Sequence, residues 1–214
     1  MSFFDRVTST WNALKYMDEA RGRYLRDLIR EHKSSDILEL GFFQGKSSAY
    51  LAAILEDEGR GHLTTMDTTR AKERHPNIEQ VLERVGLSHR VTPIYAERSY
   101  TWEMGKLLAK APREKFDLCY LDAGHTWDTT GFGFVLTDML LRPGGIVVFD
   151  DLDWNMNDSM ARLPAGHNRY QRYSEDERAA KGVRMVWETI VPRLGYENLR
   201  EKKEFQWGIA QKPR

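Results

Sequence analysis

The stretch ELGFFQGKSS at residues 39–48 lies between the apolar segments DIL and AYLAAIL and has the residue types of a ligand-binding loop. It contains GKS, the ending of the phosphate-binding loop G-x-x-x-x-G-K-[ST], whose backbone N–H groups surround phosphates. However, Leu40 stands where the leading glycine belongs, and Gly41 leaves only three residues before Gly45. Glu39 would also repel a phosphate. The spacing therefore disfavours a nucleotide triphosphatase, although the runs LCYLD and IVVFDD could imitate the magnesium-binding strand of such an enzyme.

The same loop fits the spacing E-x-G-x-x-x-G-x-S better, and it lacks the dinucleotide fingerprint G-x-G-x-x-G. Gly41 lets the backbone turn at the end of a strand, and Gly45 lets a ligand approach the start of the following helix. The Glu39 carboxylate can accept a hydrogen bond from a cationic ligand group, and Asp67 can accept two ribose hydroxyls. These two carboxylates suit S-adenosylmethionine (SAM), which has an ammonium, a sulfonium and a ribose. We expect Lys46 to face the solvent at the helix start.

Three further carboxylates follow two other apolar runs, Asp122 after FDLCYL and the pair Asp150-Asp151 after GIVVF. They lie at the carboxyl ends of predicted strands, where ligands bind in open α/β sheets. Three such charges are costly to gather unless a cation neutralises them, and oxygen ligands suit Mg²⁺ or Ca²⁺. The ion would bind two substrate oxygens and lower the pKa of one hydroxyl. His125, three residues after Asp122, could take the proton.

The elements that must position these residues follow from short apolar runs that alternate with amphipathic segments, a pattern typical of a doubly wound α/β sheet. Apolar runs with few polar interruptions indicate strands buried on both faces. The predicted strands are 36–41, 62–67, 90–95, 116–122 and 145–150. The predicted helices are 46–58, 76–85, 100–110, 128–141 and 175–191, and the chain end is expected to form an antiparallel hairpin. The sequence LRPGG at 141–145 should stop the helix before the fifth strand.

Two flanking regions differ from this pattern. Residues 8–31 carry apolar side chains at helical spacing, and we expect this N-terminal helical region, 1–34, to pack on the sheet or over the site. Residues 152–174 are polar and show no period, which predicts a substrate lid. We expect residues 1–214 to form a single domain.

In combination, these motifs resemble those of class I SAM-dependent methyltransferases, most closely the catechol-type and antibiotic-tailoring O-methyltransferases. ILELGFFQGKSSAYLAAIL resembles their first motif, TTMD their second-strand acidic motif, and GLSHRVTPIYAERS their third-strand region. FDLCYLDAGH and LLRPGGIVVFDD resemble the two metal-site strands. The resemblance implies the Rossmann-like methyltransferase fold, with a mostly parallel seven-stranded sheet and an antiparallel terminal hairpin. It also implies methylation of a small-molecule hydroxyl.

The resemblance assigns roles to individual residues. The cofactor would be bound by Glu39, Gly41, Phe42, Gly45, Ser47, Asp67, Ser99 and Asp122. Mg²⁺ would be held by Asp122, Asp150 and Asp151, with His125 and Asp122 as the catalytic residues. The chain departs from the catechol enzymes at two positions, because they have Asn where Asp151 stands and Lys where His125 stands.

Alternative roles stay open for the same residues. Asp150 and Asp151 could cap the following loop, and His125 could be a surface or helix-capping residue. In a metal-independent methyltransferase His125 would act as the base while the aspartates are structural. A non-catalytic domain that binds adenosyl ligands is a further alternative.

Composition limits the location and the partners. Lys plus Arg and Asp plus Glu both total 32, and this zero net charge disfavours a large nucleic-acid footprint. The single cysteine, Cys119, excludes an intramolecular disulfide and fits a reducing compartment. The sequence shows no signal peptide and no long apolar span. We expect a cytoplasmic protein with a small-molecule acceptor, without nucleic-acid or membrane partners, and a homodimer by analogy.

Overall fold

The computed structural model describes residues 1–110, 115–164, 167–168 and 170–214. Within these residues, seven strands form one sheet in the order β3-β2-β1-β4-β5-β7-β6. The strands are β1 (Asp36–Leu40), β2 (His62–Thr68), β3 (Val91–Ala96), β4 (Phe116–Leu121), β5 (Leu141–Phe149), β6 (Glu197–Lys202) and β7 (Trp207–Gln211). Strands β1 to β5 pair in parallel, and β7 is antiparallel to β5 and β6. The predicted fold class is confirmed.

Helices cover both faces of the sheet, which explains why the parallel strands are nearly continuous apolar runs. One face carries α1 (Phe3–Trp11), α2 (Glu19–His32), α3 (Lys46–Asp57) and α4 (Ile78–Val85). The other carries α5 (Tyr100–Lys110), α6 (Trp127–Leu140) and α9 (Gly182–Arg193). Two short helices, α7 (Met156–Met160) and α8 (Glu175–Ala179), precede α9. No helix of the described residues has the length and apolarity needed to cross a bilayer.

The sheet brings the sequence-predicted site residues to one edge. Its strand order changes direction between β1 and β4, and open α/β sheets bind ligands outside the carboxyl ends of strands at such a point. In register, Glu39 on β1 lies between Thr65 on β2 and Tyr120 on β4. Asp122 and Asp150 directly follow β4 and β5.

The helical prediction for residues 8–31 is wrong in its middle. Residues 12–18 are not helical and separate α1 from α2. The Asp18 side chain accepts a hydrogen bond from the Arg21 N–H at 2.8 Å and so begins α2 there. Leu14 and Met17 are spaced as in a helix by chance, and this spacing led to the wrong prediction of a helix through residues 12–18.

Two other boundaries differ from prediction. The segment 175–191 forms two helices, α8 and α9, separated by the extended residue Ala180. At the start of α9, Gly182 packs where a Cβ would lie 2.7 Å from the His125 carbonyl oxygen. Strand β5 already begins at Leu141. Its pairing with β4 shifts register between Phe116 and Leu118, and such a bulge tolerates the proline at 143.

Candidate active site

The loop between β1 and α3, residues 41–45, depends on its two glycines. Gly41 has φ +90°, and a Cβ there would lie 2.1 Å from the Asp122 carbonyl oxygen. Gly45 has φ +93°, and a Cβ there would lie 2.6 Å from the Ile78 side chain. Both positions combine a left-handed backbone with a close approach, so only glycine fits them without strain. The loop thus closes tightly against the end of β4 and the start of α4.

Asp67 holds this loop from the end of β2. Its Oδ2 accepts hydrogen bonds from the N–H groups of Phe42 (3.1 Å) and Phe43 (2.7 Å). Its Oδ1 accepts one from the Thr68 N–H at 2.6 Å. The carboxylate therefore shapes the loop directly, and its binding of a ribose stays a prediction.

Two further predicted cofactor residues lie near the end of β3. Phe42 is buried in the core, edge-on to Tyr95 with ring centroids 5.5 Å apart. Ser99, just after β3, accepts a hydrogen bond from the Thr101 N–H at 3.2 Å, at the start of α5. Phe42 thus packs in the core, and a contact of Ser99 with adenine stays a prediction.

Glu39 is fully buried beneath the start of α3. Its Oε2 accepts hydrogen bonds from the hydroxyls of Ser48 and, at 2.6 Å, Thr65. Its Oε1 has no hydrogen-bond partner in the described part of the chain. Burial raises the pKa of Glu39 to about 7, although the hydroxyls of Ser47, Ser48 and Thr65 offset part of this shift. A buried carboxylate oxygen left free is suited to a donor from a bound ligand.

Replacing Glu39 with Gln is expected to change how stability depends on pH. The folded state keeps the Glu39 proton up to about pH 7, whereas the ordinary pKa of a solvent-exposed glutamate is 4.5. Between these values the folded state binds more protons, so the free energy of unfolding falls as pH rises, by up to about 3 kcal/mol. Gln removes that slope. Urea unfolding should give similar stabilities near pH 4.5 and a more stable variant at pH 7.5. An equal difference at both pH values would contradict this origin.

A second group of side chains lies at the ends of β4 and β5. Asp122, His125 and Asp151 each offer one metal-ligand atom, and these atoms lie within 4.8 Å of one another. His125 Nε2 is 3.0 Å from Asp151 Oδ2 and 3.5 Å from Asp122 Oδ1. Asp151 reaches this position with φ +57°. The structure therefore brings together two of the three predicted metal ligands and adds the imidazole.

Asp150, the third predicted ligand, makes contacts within the protein. The Tyr120 hydroxyl donates a hydrogen bond to its Oδ2, and the Asp151 N–H donates one to its Oδ1 at 2.7 Å. Tyr120 was not singled out from the sequence. Its place in register with Glu39 is the signal that could have found it, because paired residues in neighbouring strands point to the same face of the sheet.

The negative charges in this group raise one another's pKa values. Burial, then the Asp150 carboxylate, raises the pKa of Asp122 to about 8. Burial, then the Asp151 carboxylate, raises the pKa of Asp150 to about 6. Like charges held together in this way favour a bound cation, so the donor set fits a hard divalent ion such as Mg²⁺.

The neighbouring carboxylates favour the protonated form of His125 in this arrangement. Burial alone would lower its pKa, but the carboxylates of Asp122 and Asp151 outweigh that effect and raise the pKa to about 10. To act as a general base, His125 would first have to lose this proton, which a cation bound to those carboxylates would favour. The base role stays a prediction.

Aromatic side chains of the predicted lid, residues 152–174, lie close to the group formed by Asp122, His125 and Asp151. The Trp154 ring lies 5.0 Å from the His125 ring, centroid to centroid. Tyr170 lies 6.4 Å from Trp154 and 6.2 Å from Tyr173. Residues 165, 166 and 169 of the predicted lid lie outside the described residues. The Trp154 contact places one end of this segment over the candidate metal site.

Lys46 does not face the solvent, and that prediction is wrong. The side chain is only 7% exposed, and its Nζ donates a hydrogen bond to the Leu14 carbonyl oxygen at 2.5 Å. The ammonium is therefore buried between α3 and the segment that joins α1 to α2.

Comparison with known proteins agrees with this geometry. A family model described as a methyltransferase domain matches residues 38–152. Caffeoyl-CoA O-methyltransferase 2 of Petunia hybrida is 27% identical over 170 residues, which are 78% of this chain and 65% of that protein. Caffeoyl-CoA O-methyltransferase 1 of Nicotiana tabacum is 26% identical, over 78% of this chain and 66% of that protein. The chain thus spans just under two thirds of the length of these curated relatives.

Solved structures share the fold. The O-methyltransferase TomG from Streptomyces achromogenes, involved in tomaymycin synthesis and solved in complex with SAM, has a TM-score of 0.66 and 21% identity. The alignment covers 100% of this chain and 91% of TomG. The O-methyltransferase from Bacillus cereus, in complex with S-adenosylhomocysteine (SAH), has a TM-score of 0.66 and 19% identity. The alignment covers 98% of this chain and 89% of that one. Because the matched segment runs from β1 to the end of β5, and so contains both the glycine loop and the acidic group, the chain belongs to this family of methyltransferase domains.

Proposed function

We propose that the protein is a SAM-dependent O-methyltransferase that acts on a hydroxyl of a small molecule. The observation that carries this proposal is the loop at residues 41–45, which lies above the buried Glu39 with its free Oε1 and is held by Asp67. Such a site offers carboxylates to the ammonium and the ribose of SAM, and the same carboxylates would repel a phosphate. Family membership and the SAM and SAH complexes of similar folds support it.

In this mechanism the protein acts mainly by alignment. Glu39, Gly41, Gly45 and Ser47 would bind the methionine part of the cofactor, and Asp67 would bind the ribose. When bound, the cofactor would supply a methyl group for direct displacement by the acceptor oxygen, with S-adenosylhomocysteine and the hydroxyl proton leaving, so the residues around it would serve to line up oxygen, carbon and sulfur. The aromatic end of the lid at Trp154 would exclude water from the acceptor.

We further propose that Asp122, Asp150 and Asp151 serve a divalent metal, with Mg²⁺ as the ion that fits best. A bound Mg²⁺ would supply Lewis acidity that lowers the pKa of the acceptor hydroxyl. Asp122 and Asp151 already face one point, and the raised pKa values of Asp122 and Asp150 support a cation there. His125 would take the proton that leaves the acceptor hydroxyl, once the Asp122 and Asp151 carboxylates no longer pair with the imidazole.

A metal-independent enzyme is a second candidate, and one observation favours it. His125 lies 3.0 Å from Asp151, and Asp150 accepts hydrogen bonds from Tyr120 and from the Asp151 N–H, so these carboxylates have partners within the protein. In that case the aspartates would orient His125, and the imidazole would have to give up the proton that they stabilise before it could take one from the acceptor hydroxyl.

Chelation is expected to separate the two candidates. If a metal serves the reaction, EDTA followed by gel filtration should lower SAH release from SAM and a pooled set of hydroxylated acceptors by roughly 100-fold or more, and Mg²⁺ should restore it. Asp150→Ala should show the same loss without rescue. Unchanged turnover after chelation, or normal turnover in Asp150→Ala, would remove the metal role and leave the His125 candidate. Tight SAH binding without any product would instead indicate a non-catalytic binder.

A further inference from the structure

The segment that joins α1 to α2, residues 12–18, lies against the loop at residues 41–45 and the first residue of α3; we call it the N-terminal strap. Two contacts hold its middle. Lys46 Nζ donates a hydrogen bond to the Leu14 carbonyl oxygen at 2.5 Å. The Tyr16 ring meets the Phe43 ring edge-on, with centroids 5.2 Å apart. The strap therefore touches the loop that would bind the cofactor at Phe43 and the helix that follows it at Lys46.

Lysine is a costly residue at position 46. It is the first residue of α3, where the helix dipole disfavours a cation, and its side chain is almost fully buried. Burial lowers the pKa of Lys46, while the nearby Asp18 carboxylate opposes that shift. A lysine at this position does not stabilise the helix. The hydrogen bond from its ammonium to the Leu14 carbonyl oxygen of the strap is what accounts for a lysine there.

The strap is anchored independently at both ends. On α1, Arg6 Nη1 and Trp11 Nε1 donate hydrogen bonds to the carbonyl oxygens of Val85 and Val81, each at 3.2 Å. On the other side, Asp18 caps α2 through the Arg21 N–H. Loss of the Lys46 bond would therefore loosen the middle of the strap without detaching either helix.

The second contact leads directly to the predicted ribose carboxylate. Phe43 has φ +50°, and its N–H donates to Asp67 Oδ2 at 2.7 Å. The Arg74 guanidinium carbon lies 3.5 Å from the Phe43 ring centroid, and Tyr16 meets the same ring edge-on. Phe43 is a non-glycine residue with a left-handed backbone, which is a strained conformation. The ring contacts that Tyr16 and Arg74 make with it help to hold it there.

We propose that Lys46 is a positioning residue that holds the N-terminal strap against the loop at residues 41–45 and thereby sets the affinity for the adenosyl cofactor. The inference rests on the proposed function, since it takes that loop to be the SAM site. Coupling between strap and cofactor is reciprocal. A strap held closed raises cofactor affinity, and bound cofactor keeps the strap closed.

The test is Lys46→Met, which keeps the apolar stem and removes the donor. Isothermal titration should show SAH binding roughly tenfold weaker than in wild type, because a hydrogen bond from a charged donor is lost. The KM for SAM should rise by a similar factor while kcat changes by less than about twofold. Trypsin should cleave faster after Lys15, an exposed strap residue, and SAH should protect this bond in wild type more than in the variant.

Matched variants separate tethering from general damage. Lys46→Arg should restore most of the SAH affinity, and Lys15→Met, which removes an exposed lysine of the same strap, should bind SAH as wild type does. Tyr16→Ala changes a side chain that is 74% exposed, so it should fold and still weaken SAH binding about threefold. If Lys46→Met binds SAH as tightly as wild type and is cleaved after Lys15 at the wild-type rate, the inference about Lys46 is overturned and the proposed function still stands. A wild-type protein that does not bind SAH would overturn the proposed function together with it.

Discussion

Asp122→Asn should lower methyl transfer by roughly 100-fold or more while the protein stays as stable as wild type, or becomes more stable. Turnover falls because the change removes a carboxyl group that could bind a metal from the point that Asp122, His125 and Asp151 share, and each lost factor of ten corresponds to about 1.4 kcal/mol of transition-state stabilisation. Stability is kept because burial and the Asp150 carboxylate raise the pKa of Asp122 to about 8, so its ionised form opposes folding at neutral pH.

The matched control for this variant is Asp117→Asn, at the other end of the same strand. Asp117 Oδ2 accepts hydrogen bonds from the N–H groups of Ser35 and Asp36, both at 2.9 Å, and Arg142 donates to its Oδ1 at 2.6 Å. Burial alone would raise the pKa of Asp117, but these donors hold it below its usual value. Asp117→Asn should therefore lose roughly 1–3 kcal/mol of stability and keep its turnover. Near-normal turnover in Asp122→Asn would contradict a catalytic role for Asp122.

Gly41→Ala should destabilise the protein by roughly 3–5 kcal/mol. The new Cβ would lie 2.1 Å from the Asp122 carbonyl oxygen, at a φ of +90°. Neither backbone can move away, because the Gly41 N–H donates to the Met66 carbonyl oxygen at 2.7 Å and the Asp122 N–H donates to that of Leu40 at 2.8 Å. Urea unfolding measures the loss, and SAH titration of the folded fraction measures the damage to the loop.

Gly59→Ala separates backbone strain from the clash. Gly59 has φ +67°, and a Cβ there would meet no atom of the described residues within 4 Å, so the substitution should cost only about 1 kcal/mol. If both alanine variants were destabilised equally, the close approach of β1 and β4 would not be the reason that position 41 requires glycine.

The strands and the edge that carries the site could be predicted because burial leaves a direct signal in the sequence. Strands covered on both faces read as apolar runs, and Glu39, Asp67, Asp122 and Asp150 each stand in or next to the end of such a run. Parallel pairing then places these carboxylates at one edge, and the structure confirms that arrangement.

The grouping of side chains within that edge could not be predicted. Asp150 and Asp151 are neighbours in the chain, but one bonds to Tyr120 and the other pairs with His125, because Asp151 adopts φ +57°. No local sequence pattern predicts that left-handed backbone at Asp151, which turns the two neighbouring side chains to different partners. Lys46 shows the same limit, since its burial depends on a contact with residue 14, which is remote in sequence. Local sequence around a helix start favours solvent for a lysine, and tertiary packing decides otherwise.

The most direct measurement of the central claim compares ligand-induced changes in the melting temperature of the wild-type protein. Ligands that bind only the folded state raise its Tm, and the rise grows with their affinity. SAM and SAH should raise the Tm in a saturable manner, and Glu39→Gln and Asp67→Asn should weaken that rise, while ATP with Mg²⁺ should raise the Tm no more than Mg²⁺ alone does. A rise with ATP and none with SAM or SAH would contradict the assignment of the β1–α3 loop to an adenosyl cofactor.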